Sequence, residues 1–261
     1  MTIDAAALIP AVRDLAYAAG DAILEIYRTD FDSTRKDDGS PLTLADTASE
    51  AIIVPGLRAL TPETPVISEE EFSNGESPTD VGDRFWLVDP LDGTREFLKR
   101  NDEFTVNIGL IDGGVPRLGI LYAPALDLMY AGATGEGATL IEAHNGVRGT
   151  ERNIACRPVP DDGMDVLVSR SHARNDKLEG YLADMKVRDR MPQGSALKFG
   201  RLAAGEADIY PRFGPTCEWD TCAGHAIVLA AGGSIETFDG APLAYSKPDY
   251  LNPGFVAFGR R

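Results

Sequence analysis

Trp86-Leu87-Val88-Asp89-Pro90-Leu91-Asp92-Gly93-Thr94 is the stretch on which the reading of this chain turns. Consecutive apolar residues run into two aspartates separated by Pro-Leu, and Gly-Thr then opens a run compatible with a helix. A short apolar run of this kind predicts a buried strand. Side chains alternate along a strand, so a regular strand would not aim Asp89 and Asp92 at one point. A Pro-containing turn would, and it would present the Leu91 carbonyl as a third oxygen. Hard divalent cations take carboxylate and carbonyl oxygens. Gly93 lets the backbone approach a ligand closely, and the Gly93 and Thr94 amides at a helix start would receive an anion. A cation nest beside an anion nest is what metal-assisted phosphate hydrolysis requires. On this stretch alone a plainer alternative stays open, with Asp92 capping the helix and Asp89 ending a strand at the surface.

Working outward, three further places carry acids in similar settings. The strand expected over Pro65–Ser68 runs into Glu69-Glu70, Thr43-Leu44-Ala45-Asp46 puts an acid near a helix start, and Cys217-Glu218-Trp219-Asp220 precedes the apolar stretch Thr221–Ala231. Each alone reads as structural. Together with the Asp89–Thr94 segment they point to one carboxylate cluster.

The remaining pattern predicts a layered α/β or α+β chain. Apolar residues at Val12, Leu15, Ala19, Ile23 and Ile26 keep a helical period, with a start or bend near Pro10. Thr43–Leu60 reads as a helix with a kink or early stop at Pro55. Phe85–Asp89, Thr105–Asp112, Arg117–Tyr122 and Leu128–Ala131 read as strands, the last three as an antiparallel meander. Val166–Ser169 and Ala207–Tyr210 read as strands among helices over Asn175–Ala183, Ser195–Ala203 and Asp220–Ala231. Phe72–Asp83 is expected to be a surface loop. His144–Arg157 is expected to connect an N-terminal half (1–150), carrying the acidic motif, to a C-terminal half (151–261) with substrate-binding elements.

Composition narrows the function. At 261 residues with 43% hydrophobic content the chain can bury a sizeable core. A net charge of −16 opposes binding to a nucleic-acid duplex. No apolar run reaches the roughly 20 residues of a transmembrane helix, and the N-terminus lacks a signal-peptide pattern. Three cysteines form no paired framework, which suits a reducing compartment. The expected location is cytoplasmic, with peripheral association at an inner membrane left open, and the protein is expected to be a monomer or homodimer.

These motifs resemble the inositol monophosphatase-like superfamily over nearly the whole chain: Thr43-x-Ala45-Asp46, Glu69-Glu70 at a strand end, Trp86-x-Val88-Asp89-Pro90-Leu91-Asp92-Gly93-Thr94, and the late Trp219-Asp220. The resemblance implies a five-layered αβαβα sandwich and two or three Mg²⁺ ions held by Glu69, Asp89, the Leu91 carbonyl, Asp92 and Asp220. It also implies that Thr94, oriented by Asp46, deprotonates the attacking water, with Glu69 in the catalytic set, and that Li⁺ inhibits. Glu103-Phe104-Thr105-Val106-Asn107-Ile108, Gly194-Ser195-Ala196-Leu197-Lys198-Phe199 and Tyr210-Pro211-Arg212-Phe213-Gly214-Pro215-Thr216 resemble the bacterial 3'(2'),5'-bisphosphate nucleotidase branch. That branch removes the 3'-phosphate of adenosine 3',5'-bisphosphate.

The substrate is thus expected to be a small phosphorylated metabolite, with Leu91, Asp92, Gly93, Thr94, His172, Ser195, Lys198, Arg212 and Asp220 around it. Lys198 and Arg212 suit a second phosphate, although intramolecular salt bridges would explain them equally well from spacing alone. Tyr210 or Phe213 could flank a base, and His225 reads as packed. Inositol monophosphatase, histidinol-phosphatase or sugar-bisphosphatase activity on the same site is the alternative, as is 3'-phosphoadenylyl sulfate for the sulfated nucleotide. A silent binding module is disfavoured because Thr94 and Asp46 are both present. A glycosidase would need two acids across one bond, not a cluster.

Overall fold

The computed structural model describes residues 4–29, 41–78, 80–144, 147–170 and 176–261. Helices α1 (Ala5–Tyr27) and α2 (Pro41–Leu60) pack together as an outer layer. Asp4 sets the start of α1 by accepting the Ala7 amide at 3.2 Å, so the helix begins upstream of Pro10 and not at it. Of the kink or early stop expected at Pro55, the early stop does not occur, and α2 runs on to Leu60. Burial of Ile53, Val54 and Leu57 on both sides of the proline outweighs its missing hydrogen bond.

The first sheet follows. It is assembled from β1 (Val66–Ser68), then a short α3 (Glu69–Ser73), β2 (Arg84–Asp92), α4 (Thr94–Leu98), β3 (Thr105–Asp112), β4 (Val115–Ala123), β5 (Leu128–Ala133), β6 (Gly137–His144), β7 (Val147–Arg148) and β8 (Arg152–Ile154). Strand order is β1 to β7 in sequence, with β8 also on β6. β1 lies parallel to β2 and the others pair antiparallel, so the expected meander is present and extends through β6. Two loop expectations are corrected. Phe72 belongs to α3, and the presumed connector His144–Arg157 supplies β7 and β8 to the sheet.

The second sheet uses β9 (Met164–Ser169), then α5 (Asp176–Leu182), β10 (Val187–Gln193), α6 (Leu197–Ala203), β11 (Ile209–Arg212), β12 (Thr216–Cys217), α7 (Cys222–Ala230), β13 (Ser234–Thr237), β14 (Leu251–Asn252) and β15 (Phe255–Phe258). Its order is β10-β9-β11-β15-β13, while β12 and β14 form a separate ladder. The three helices expected here are present with trimmed ends, and Asn175 lies outside the described residues.

The layers follow from which faces are apolar. α1 and α2 bury Val12, Ile23 and Leu57 against Trp86, Ile108 and Ile120 of the first sheet. The opposite face of that sheet, through Leu121 and Tyr130, meets Phe199 of α6 and Ile227 of α7, which in turn meet Leu167 and Phe255 of the second sheet. α5 closes the far side with Leu178 and Leu182 on Val166 and Ile209. The result is the five-layered αβαβα sandwich. The central layer sits very close: a Cβ on Gly119 would fall 2.8 Å from the Ala223 carbonyl carbon, and one on Gly109 would fall 2.8 Å from the Ala223 nitrogen. Among the described residues no helix is long and apolar enough to cross a membrane.

Candidate active site

The site grows from the parallel pairing of β1 and β2. Ser68 aligns with Val88, so the next residues of the two strands stand side by side, Glu69 leaving the sheet into α3 while Asp89 still pairs with Asn107. The chain does not turn at Pro90 as the sequence suggested. β2 continues to Asp92, which pairs with Thr105, and the register shifts between Asp89 and Asp92. This is a bulge, made where proline removes a ladder donor. The Leu91 amide donates to Asp89 Oδ1 at 3.0 Å and the Ser49 hydroxyl to the Pro90 carbonyl at 2.8 Å, which holds the irregular segment. The Leu91 side chain is buried in the core beneath it.

Asp220 reaches the same place from the other sheet's side, just ahead of α7. It accepts the Cys217 amide on Oδ2 at 2.8 Å. Carboxylate oxygens of Glu69, Asp89 and Asp220 lie within 4.8 Å of one another. Asp92 is their electrostatic neighbour, but its Oδ2 is turned toward α6, where it accepts Ser195 Oγ at 2.7 Å and the Ala196 amide at 2.6 Å. The structure therefore brings three of the four expected carboxylates into one cluster and places the fourth beside it.

These acids are crowded, with Asp89 buried and Glu69 and Asp220 half-buried. Asp89 is only 1% exposed, and burial, then Glu69, Asp92 and Asp220, raise its carboxyl well above the usual range. Burial and Asp92 push Glu69 up to about 7, and burial and Asp92 push Asp220 up to about 8. Asp46 is likewise held at about 8, by burial and by Glu70, Glu69 and Glu50. Among the described residues no salt bridge reaches Glu69, Asp89 or Asp220. Buried like charges without a counter-ion either keep protons or hold a cation. Convergent carboxylates of this kind fit a hard divalent ion that retains some water.

Thr94 begins α4 behind Gly93, which sits in the left-handed region at φ 92°. A side chain at position 93 would be strained there, and its Cβ would lie 3.1 Å from that of Ser195. No hydrogen bond joins Thr94 to Asp46 among the described residues. Asp46 instead belongs to a wider acidic group with Glu70, already noted beside Glu69, and Glu50, which was not singled out from sequence. Glu50 accepts the Ser68 hydroxyl and the Glu71 amide, which places it under the β1 end. Its helical spacing from Asp46 was a usable signal.

A cleft of about 200 Å³ opens beside the cluster, lined by Asp92, Thr94, Ser195, Lys198, Arg212 and Asp220 among others. Lys198 is 4% exposed. It donates to the carbonyls of Gln193, at 3.1 Å, and of Ser195, and lies 5.2 Å from the Tyr210 ring centre. Burial lowers its pKa to about 8 against the opposing pull of Asp92. Arg212 donates from Nη2 to the Pro215 carbonyl at 3.2 Å, and its buried Nε has no hydrogen-bond partner among the described residues. The intramolecular salt bridges that would have explained both cations are absent among the described residues. Tyr210 packs edge-on to Phe199 and Phe255, whereas Phe213 stacks on Phe238 at 4.2 Å. His172 lies outside the described residues. His225 is packed as expected: it is buried with Nδ1 3.0 Å from the Tyr245 hydroxyl, and burial lowers its pKa to about 3.

A sequence model described as the inositol monophosphatase family matches residues 4–257. The chain belongs to that family. It is 45% identical over 251 residues, 95% of this chain and 98% of the other, to the 3'(2'),5'-bisphosphate nucleotidase CysQ of Escherichia coli strain K12. Among solved structures it is similar to CysQ from Bacteroides thetaiotaomicron, described as a bacterial member of the inositol monophosphatase family. The TM-score is 0.82 at 37% identity, covering 97% of each chain. An inositol monophosphatase from Zymomonas mobilis aligns with a TM-score of 0.80 at 25% identity, covering 100% of this chain and 95% of that one. As a member of the inositol monophosphatase family the chain is a phosphatase.

Proposed function

We propose that the chain is a Mg²⁺-dependent 3'(2'),5'-bisphosphate nucleotidase that hydrolyses the 3'-phosphate of adenosine 3',5'-bisphosphate, and also accepts 3'-phosphoadenylyl sulfate. One observation carries the reading: the carboxylates of Glu69, Asp89 and Asp220 converge, and Asp220, with Asp92, lines a cleft holding two cations, Lys198 and Arg212, that have no carboxylate salt-bridge partner among the described residues. An anionic ester can lie with its scissile phosphate at the acids and its second phosphate at the cations. The 45% identity to a protein named for that substrate supports the same assignment.

Glu69, Asp89, Asp92, Asp220 and the Leu91 carbonyl would hold magnesium, which supplies a bound water of lowered pKa and charge neutralisation at the phosphate. Asp46, whose carboxyl is raised to about 8, has the basicity to take a proton from the attacking water near neutral pH. Thr94, which lines the cleft, would relay that proton. The water oxygen bonds to phosphorus as the ester P–O bond breaks, and the departing ribose oxygen is reprotonated from solvent. Arg212 grips the second phosphate and Lys198 stands beneath it as a buried point charge. Ser195, already fixed to Asp92, lines the path between the two phosphates.

The test is phosphate release from adenosine 3',5'-bisphosphate and from inositol 1-phosphate, with Mg²⁺ and with chelator. Release from the nucleotide that stops on chelation, and falls at least tenfold more in Arg212→Ala for the nucleotide than for the inositol ester, is the expected result. Equal or faster inositol phosphate hydrolysis would transfer the assignment to the family's inositol phosphatases. No magnesium dependence would end it.

A further inference from the structure

Asp92 directs one oxygen at three donors: Ser195 Oγ, the Ala196 amide and, at 3.4 Å, Asn107 Nδ2. Two of these belong to the segment 193–196 that links β10 to α6. That segment is not a relaxed connection, because Ser195 has φ 53°, in the left-handed region that residues with side chains rarely adopt. Something has to hold it there.

Glu103, in the loop entering β3, does so from the opposite sheet. Its Oε2 accepts the Gly194 amide at 2.7 Å. The same carboxylate takes a forked pair from Arg170, with Nε at 2.8 Å from Oε2 and Nη2 on Oε1, and Arg170 also reaches the Pro192 carbonyl at 3.2 Å. Position 194 has no room for a side chain: a Cβ would meet Glu96 Cγ at 2.5 Å and Glu103 Oε2 at 3.0 Å. Two residues on, Thr105 Oγ1 lies 2.5 Å from Ser195 Oγ. A continuous hydrogen-bonded path therefore runs Arg170, Glu103, Gly194, Ser195–Ala196, Asp92.

We infer that Glu103 is a positioning residue: by fixing the Gly194 amide it sets the Ser195–Ala196 segment, which in turn fixes how Asp92 presents itself to the carboxylate cluster. This rests on the reading of Asp92 as a cation ligand. A half-exposed Arg–Glu pair by itself would contribute little to stability. The charge-assisted bond to a backbone amide is what couples it to the site. Outer groups that orient a ligand commonly change metal affinity tenfold or more when removed.

The experiment uses the full chain with Glu103→Ala, the milder Glu103→Gln, and Arg152→Ala as a control that breaks the exposed Arg152–Glu142 pair between β8 and β6. In cation-free protein the Ala196 amide proton is followed by NMR, and Mg²⁺ affinity is measured by calorimetry without substrate. Both Glu103 variants should shift the Ala196 resonance upfield as its bond to Asp92 loosens. Mg²⁺ binding should weaken about tenfold in Glu103→Ala and less in Glu103→Gln, with Arg152→Ala unchanged in both. An unmoved Ala196 resonance, or unchanged affinity in protein that binds the ion, reduces Glu103 to a tie between sheets even if the variants melt earlier. Wild-type protein that binds no Mg²⁺ would overturn the functional reading instead, and the Ala196 resonance would still decide the positioning role.

Discussion

At the scale of single residues, the site is a set of acids made costly by their surroundings. Asp220 shows the consequence. Its folded-state pKa of about 8 lies above the ordinary 3.8, through burial and Asp92, so the folded cation-free protein holds a proton that the unfolded chain releases. Its share of stability is therefore complete below about pH 4 and is lost as pH rises toward 8. Asparagine never ionises and escapes this loss. In chelator, Asp220→Asn should equal wild type near pH 4 and exceed it by on the order of 5 kcal/mol at pH 8, while losing its Mg²⁺ response. Urea unfolding at the two pH values checks this, and a variant less stable than wild type at pH 8 would show that Asp220 is held by partners rather than crowded.

At the scale of elements, β2 and the segment before α7 are shaped by buried polar anchors. Glu218 is the clearest. Its side chain is fully buried and accepts the Ser246 amide at 2.9 Å, the Lys247 amide at 2.8 Å and Lys247 Nζ at 2.6 Å. It ties the irregular segment between β13 and β14 to the turn that carries Asp220. From sequence Glu218 was only an acid next to a candidate ligand, because nothing local shows that its partners stand at positions 246 and 247. Removing one member of a buried, hydrogen-bonded charge pair typically costs about 3–5 kcal/mol. Glu218→Ala should lie near the lower figure, since Lys247 can turn to water. Its midpoint in denaturant is the measurement, and a loss below about 1 kcal/mol would mean the anchor is dispensable.

At the scale of the whole molecule, two sheets are held at a distance set by α7. Gly109 and Gly119 let its backbone lie directly on β3 and β4, and that approach brings Asp220 across to Glu69 and Asp89. Gly119→Ala would press a methyl group into backbone at Ala223, which no side-chain rotation can relieve. A loss of about 1–3 kcal/mol is expected from overpacking. Mg²⁺ affinity should fall with it, because the helix and its acid shift together. Thermal unfolding with and without Mg²⁺ separates the two effects, and an unaltered Mg²⁺ response would show that the triad tolerates movement of that layer.

The sequence by itself determined the main helices, the meander and the acidic motifs, while the five-layered stacking was implied only by the family resemblance. Period-2 and period-3.6 apolar patterns depend on local geometry, so α1, α2 and the meander could be read directly, and Asp89, Asp92 and Glu69 stood at strand ends for the same reason. β10 escaped because its residues 187–193 are mostly exposed and charged, and the prolines misled because packing at Ile53 and Leu57 overrode a local penalty. Tertiary structure decided the rest. It made the Pro90 segment a bulge rather than a turn, gathered Asp220 with Glu69 and Asp89 while turning Asp92 toward α6, left Lys198 and Arg212 without salt bridges among the described residues, and joined Glu103 to Gly194. Each of these is a contact between residues far apart in the chain, fixed by strand register and interlayer packing, which local sequence does not encode.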